Sequence, residues 1–243
     1  MLKGIAFCGV IGLFASSAFA DVYNAVNDFP TTITNSTLAI NGVWSYGWLA
    51  AGTQTPFGLD LAAPNYFGDG NASGFSEFGG TSLPTILKNT TGSTIPVEGG
   101  TIGPWPANLL LLHPGPNGDV SVVQFTAPTA GSYSVSGEFL AMGNTITNPS
   151  TPGQTTDTVV VAGTTVTTIY SSNTAQPFSF TTSLTAGQTI DFEVGLGPAG
   201  QFSFDSTGFN AAITSATPEP GFYGVLALGL TGLAAAARRL KRA

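Results

Sequence analysis

From Ser132 to Leu140 the chain reads SYSVSGEFL, with Tyr133, Val135, Gly137 and Phe139 alternating with Ser132, Ser134, Ser136 and Glu138. A period of two sets successive side chains on opposite faces, so this stretch predicts a half-buried strand. DVSVVQFT over Asp119–Thr126 predicts the strand before it, with Ala127-Pro128-Thr129-Ala130-Gly131 as the turn. TVVVAGTTVTTIY over Thr158–Tyr170 carries two β-branched runs around Ala162-Gly163 and predicts a hairpin. Phe178–Leu184 predicts another strand. In TIDFEV, Thr189–Val194, the residues Ile190, Phe192 and Val194 are expected inward and Asp191 and Glu193 outward. Gln201–Phe204 and Phe209–Ile213 complete the set, and Gly42–Leu49 supplies a first strand. About seven or eight short strands with regular turn signals predict an all-β chain, a β-sandwich or jelly roll. The Gly- and Asn-rich stretch between about 50 and 105 predicts large loops, and no internal repeat is visible.

The two ends follow other patterns. Lys3 precedes an apolar stretch of about a dozen residues and an A-x-A site at Ala18–Ala20, which predicts a signal peptide over 1–20 cleaved by signal peptidase. At the other end, Gly221–Ala237 carries no charge and Arg238, Arg239, Lys241 and Arg242 follow it. As a helix it would reach about 26 Å, just short of a hydrocarbon core, with the basic tail 238–243 on the cytoplasmic side. The organisation expected is therefore a signal peptide, an ectodomain over 21–213, a linker over 214–220 and a spanning helix over 221–237. The alternative for the C-terminal run is a buried core helix.

Composition then narrows the functions. Residues 21–217 hold twelve acidic residues and one basic residue, Lys88, a net charge near −11. That charge disfavours nucleic acid and anionic membrane surfaces. Cys8, the single cysteine, lies in the signal peptide, so the exported part has neither disulfide nor thiolate metal site.

Several groups of residues could carry chemistry. Trp44, Tyr46 and Trp48 share one strand face and form either a row of rings for sugar stacking or part of the core. Trp105, between Pro104 and Pro106, is expected in an exposed loop and is the better ligand-binding candidate. Asp69, Asn71 and Ser73 at two-residue spacing, then Gly74 and Glu77, match the front half of a calcium loop. The twelfth position holds Gly80 where a bidentate Glu is needed, so the alternative is an ordinary Asx turn. His113, the single histidine, precedes Pro114-Gly115 and reads as a turn residue closing a strand; no nucleophile elbow accompanies it. Asp191, Glu193 and Asp205 are expected on neighbouring strands, either as solvated acids or as a hydrolytic carboxylate pair. Asn35, Asn71 and Asn89 sit in N-x-S/T sequons and are expected at the surface.

Two resemblances add to this reading. Pro218-Glu219-Pro220, the apolar run and the Arg-rich end with Arg238 and Arg239 resemble a PEP-CTERM sorting signal. That resemblance covers about 26 residues. It implies transient residence in the inner membrane, removal of the tail by an exosortase-type enzyme, and delivery to the cell surface or extracellular polymer. VSVVQFTAPTAGSYSVSGEF and LTAGQTIDFEVGLG resemble hairpins of bacterial extracellular β-sandwich modules, many of them carbohydrate-binding. This second resemblance covers about residues 108–213 and bears on fold more than on ligand. The expected function is a non-catalytic structural or adhesive surface protein in contact with exopolysaccharide. The alternatives are a dedicated carbohydrate-binding module, with or without calcium, and an extracellular hydrolase.

Overall fold

The strongest alternation in the sequence becomes the longest of the seventeen strands among the described residues, β12 (Gly131–Ala141). Tyr133, Val135 and Phe139 face the core and the intervening Ser134 and Ser136 face solvent. The computed structural model describes residues 20–55, 57–97, 102–142, 155–170, 174–198 and 200–216, with Gly229, Thr231, Gly232 and Arg238. Within it, Val22–Ser215 forms one compact unit.

β12 lies in an eight-stranded sheet between β15 (Gln176–Leu184) and β17 (Thr207–Ser215). The sheet continues from β17 through β10 (Leu110–His113), β7 (Thr85–Asn89) and β6 (Ala72–Ser76) to the edge strand β5 (Leu61–Ala63). β17 is long enough to take two partners in line on that side: β10 against Thr207–Phe209 and β1 (Val22–Asn24) against Ala212–Thr214. The second sheet runs β14 (Thr164–Tyr170), β13 (Thr155–Val161), β16 (Thr189–Leu196), β11 (Val120–Thr126) and β3 (Trp44–Leu49). β2 (Ile40–Asn41) and β4 (Gly58–Leu59) share the far side of β3. Every pairing is antiparallel. The β13–β14 hairpin turns at Ala162 and Gly163, whose φ values of 49° and 78° suit the mirror-image turn that right-twisted strands prefer.

The two sheets pack face to face, and the core between them is aromatic. Tyr46 of β3 stacks on Phe75 of β6 at 5.3 Å, and Phe192 of β16 meets Phe209 of β17 at 5.1 Å. Phe125 of β11 meets Tyr133 of β12 edge-on at 5.7 Å. The Tyr133 hydroxyl donates to Thr129 O at 2.7 Å and so closes the turn between those two strands.

A second, smaller core covers the outer face of the eight-stranded sheet. Leu87 and Leu111 alternate with the inward Ile86, Leu110 and Leu112, and pack with Tyr66, Trp105, Leu109 and Met142. The cover includes the two-stranded sheet of β8 (Ile95–Val97) and β9 (Ile102–Trp105).

Several expectations are corrected. Residues 50–105 hold six strands, β4 to β9, in place of large loops. β6 and β7 bury residues on both faces, and β4 and β5 are only two and three residues long, so the alternation that marks a half-buried strand is missing. Gln201–Phe204 is not a strand; Phe204 has a φ of 69°, a left-handed turn conformation. Among the described residues no helix is long and apolar enough to cross a membrane. The helix expected over 221–237 falls largely outside the described residues, of which Gly229, Thr231 and Gly232 are helical, as is Arg238 beyond it. Ala18, Pro218, Glu219, Pro220 and Arg239 also lie outside them.

Candidate functional site

The second core stops short of one side of the sheet, and a cleft of about 360 Å³ opens there. Its floor is Leu87 of β7 and Leu111 of β10, and Tyr66 and Phe67 form a wall. These rings come from the β5–β6 connection and meet edge-to-face at 5.0 Å and 87°. The Tyr66 hydroxyl lies 3.2 Å from Thr81 O and 3.0 Å from Ser82 O, which ties the wall to the neighbouring loop. Phe67 stays half-buried.

His113 and Ser206 supply the polar side of the cleft. His113 ends β10, and its Nδ1 lies 2.8 Å from Pro114 O. A carbonyl only accepts, so Nδ1 carries the proton and Nε2 is left as an acceptor. Burial lowers the His113 pKa, and the bond to Pro114 O offsets part of this, so the ring is neutral at physiological pH. Ser206 is 1% exposed, and its hydroxyl has no hydrogen-bond partner among the described residues. An unmatched buried hydroxyl costs about 1–3 kcal/mol, which a ligand oxygen could recover. Below the floor, Ser121 of β11 reaches across the sandwich, its Oγ 2.7 Å from His113 O and 3.1 Å from Thr85 O. The cleft therefore offers a ring edge, an apolar floor, one hydroxyl and one imidazole acceptor. That inventory suits a small polar ring such as a sugar, held by stacking and hydrogen bonds.

The residues singled out from sequence lie elsewhere. Trp44, Tyr46 and Trp105 are each 0% exposed. Trp105, expected in an exposed loop, fills the second core and donates from Nε1 to Leu109 O at 2.9 Å. Trp44 donates to Asp28 Oδ2 at 3.1 Å. Burial and then the Asp28 charge raise the Tyr46 pKa. With no face in solvent, these three rings cannot stack on a glycan. Trp48 is half-buried, its indole against Gly58.

The expected calcium loop closes on itself. Asp69 accepts from the N–H and the side-chain amide of Asn71, each at 2.9 Å, and Ser73 Oγ accepts from Asn65 N–H. Glu77 lies beyond the far end of β6, about 20 Å along an extended chain from Asn71, so the four do not converge. Among the described residues no three Asp, Glu, His or Cys side chains stand together as a metal-holding group.

Of the acids of the hydrolase alternative, Asp191 and Glu193 stand together on one strand face and Asp205 is set apart from them. Asp205 precedes β17 of one sheet, whereas Asp191 and Glu193 lie on β16 of the other. Glu193, expected outward and solvated, is 6% exposed. It lies between Val122 of β11 and Thr158 of β13 on the outer face of its sheet. Burial, and after it the Asp191 charge, push its pKa up to about 7, against a hydrogen bond from Gln54. Asn89 of the third sequon is buried, its amide donating to Ser93 O at 2.7 Å and Trp105 O at 3.1 Å. The sequence pattern reads the stretch around Tyr66 and Phe67 only as loop and gives no sign of Ser206, because nothing local places a serine beside a histidine 93 positions earlier in the chain.

No family model matches the chain, and no curated protein matches it. Among solved structures it is similar to a family 35 carbohydrate-binding module from Clostridium thermocellum. That similarity has 13% identity and a TM-score of 0.30, over 82% of this chain and 100% of that one. It is also similar to the CBM51 module of a GH95 protein from Clostridium perfringens, solved with methyl-galactose. Identity there is 11% and the TM-score 0.36, over 55% of this chain and 90% of that one. Pika GITRL matches at 14% identity and a TM-score of 0.27, over 40% and 72% of the two chains.

Proposed function

We propose that this is an exported, non-catalytic protein of the bacterial cell surface or extracellular polymer, sorted by a PEP-CTERM signal, with glycan contact as its mode of action. The signal peptide over 1–20 directs export. Pro218-Glu219-Pro220, the apolar run and the basic tail address the chain to an exosortase-type enzyme in the inner membrane. The sandwich is then released or displayed outside.

The observation that carries glycan contact is the cleft at Tyr66, Phe67, His113 and Ser206. It joins a half-exposed aromatic ring to a buried hydroxyl without a partner among the described residues, the pairing that a polyhydroxylated ring would complete. The test is binding of the purified protein to a glycan panel, compared with its Phe67→Ala and Ser206→Ala variants. Saturable binding weakened at least tenfold in both variants supports the reading. Binding that neither variant changes would move the site elsewhere, and binding to no glycan would leave a purely structural role.

A further inference from the structure

Asp60 is the residue at which the chain crosses from one sheet to the other. Gly58–Leu59 pairs with β3, and Leu61–Ala63 pairs with β6 of the opposite sheet. Leu59 and Leu61 point outward, 46% and 56% exposed, whereas Asp60 turns in and is 4% exposed. Its N–H donates to Tyr46 O at 3.1 Å, but neither carboxylate oxygen has a hydrogen-bond partner among the described residues. Leu61 pairs with Ser76, so the next position along places Glu77 opposite Asp60. Ala62 and Phe75 lie in the inner core, and alternation sets Asp60 and Glu77 on that same side.

A buried carboxylate without a partner is among the costliest groups a fold can hold. The exported part has no cation to offer it: Lys88, its single basic residue, donates to Val26 O at 2.6 Å. Left to itself the carboxyl is neutralised by a proton, whereas a cation supplied from outside the domain lets it stay ionised. The donors available are all oxygens, which select a hard cation over a transition metal. Both Asp60 oxygens are shut off from solvent. An ammonium or guanidinium on a partner's side chain would have to part the sheets to reach them, whereas a bare ion is enclosed as the sheets close.

We propose that Asp60 and Glu77 hold a hard divalent cation of the calcium class at the crossing between the two sheets. Backbone carbonyls and water complete its shell. The proposal stands apart from the cleft and from the Asp69 loop. The electrostatics agree: burial and then the Glu77 charge hold the Asp60 carboxyl well above the usual carboxylate range. Burial and then Asp119 raise Glu77. A cation reverses both effects and ties β5 and β6 to the β3 edge, pinning the open side of the sandwich.

The test is thermal unfolding of the purified full-length protein at pH 7.5 in chelator, then in rising calcium, with magnesium as comparison. At a hundredfold excess over Kd, calcium should raise Tm by about 5–10 °C. Asp60→Asn should melt higher than wild type in chelator and lose the calcium response, whereas Asp69→Asn should keep it. No calcium response in wild type, or an undiminished one in Asp60→Asn, overturns the proposal. So does a response lost in Asp69→Asn, which would place the ion in the 69–73 loop. Should Asp60→Asn fail to fold, Glu77→Gln decides: a calcium midpoint raised at least tenfold supports the site, and an unchanged one overturns it.

Discussion

Thr155 of β13 and Thr207 of β17 share a hydrogen bond of 2.8 Å between their hydroxyls, across the interior of the sandwich, with neither side chain exposed. The bond links the two sheets through a polar contact in an apolar setting. Replacing one partner strands the other. Thr155→Val or Thr207→Val alone should cost about 1–3 kcal/mol, whereas the double variant should cost clearly less than the sum. Urea unfolding of the four proteins measures this coupling, and strict additivity would show that the bond contributes nothing.

Trp105 tests the assignment of rings to core or surface. Trp105→Phe keeps much of the packing but removes the bond to Leu109 O. It should lower stability by about 1–2 kcal/mol and leave glycan affinity unchanged. Phe67→Ala should do the reverse, with little loss of stability and a large loss of binding. A calorimetric titration and a melt on each variant separate the two outcomes.

Glu193 should make stability depend on pH. Its folded pKa of about 7 lies above the ordinary 4.5 because burial, and then Asp191, disfavour the charge. The folded state therefore binds more protons than the unfolded chain between those values, and stability falls as pH rises from about 4.5 to about 7. Glu193→Gln should be the more stable protein at pH 8, by roughly 3 kcal/mol, with the gap closing near pH 4.5. Urea midpoints across pH 4.5–8 check the sign. A gap that widens toward acid would contradict the burial account.

Gly137 sits in the middle of β12, opposite Ala211 and Phe178. A methyl group there would overlap Asn210 O and lie 2.5 Å from the Phe178 ring. Gly137→Ala should therefore destabilise by about 1–3 kcal/mol, although alanine ordinarily suits a strand better than glycine. Unfolding measurements that show a neutral or stabilising effect would mean that β12 and β15 can part at little cost.

The sequence alone determined much of the second half of the sandwich. From Asp119 onward the strands are long, half-buried and alternating, so their period could be read directly. β11 to β17 emerged close to their observed bounds, with the turns at Ala127–Gly131 and Ala162-Gly163 between them. Tertiary structure decided the first half. Strands such as ASGFS and TILKN bury both faces, one against the inner core and one beneath Trp105 and Tyr66, so no polar side marks them. Burial of Trp44, Tyr46 and Trp105 depends on which sheet covers them, and a ring has the same composition in a core as on a platform. The meeting of His113 with Ser206, and of Asp60 with Glu77, is set by strand pairing between segments that carry no local sign of each other. Local pattern records the period of a strand, whereas a site records which strands become neighbours, and only the packed sheets determine that.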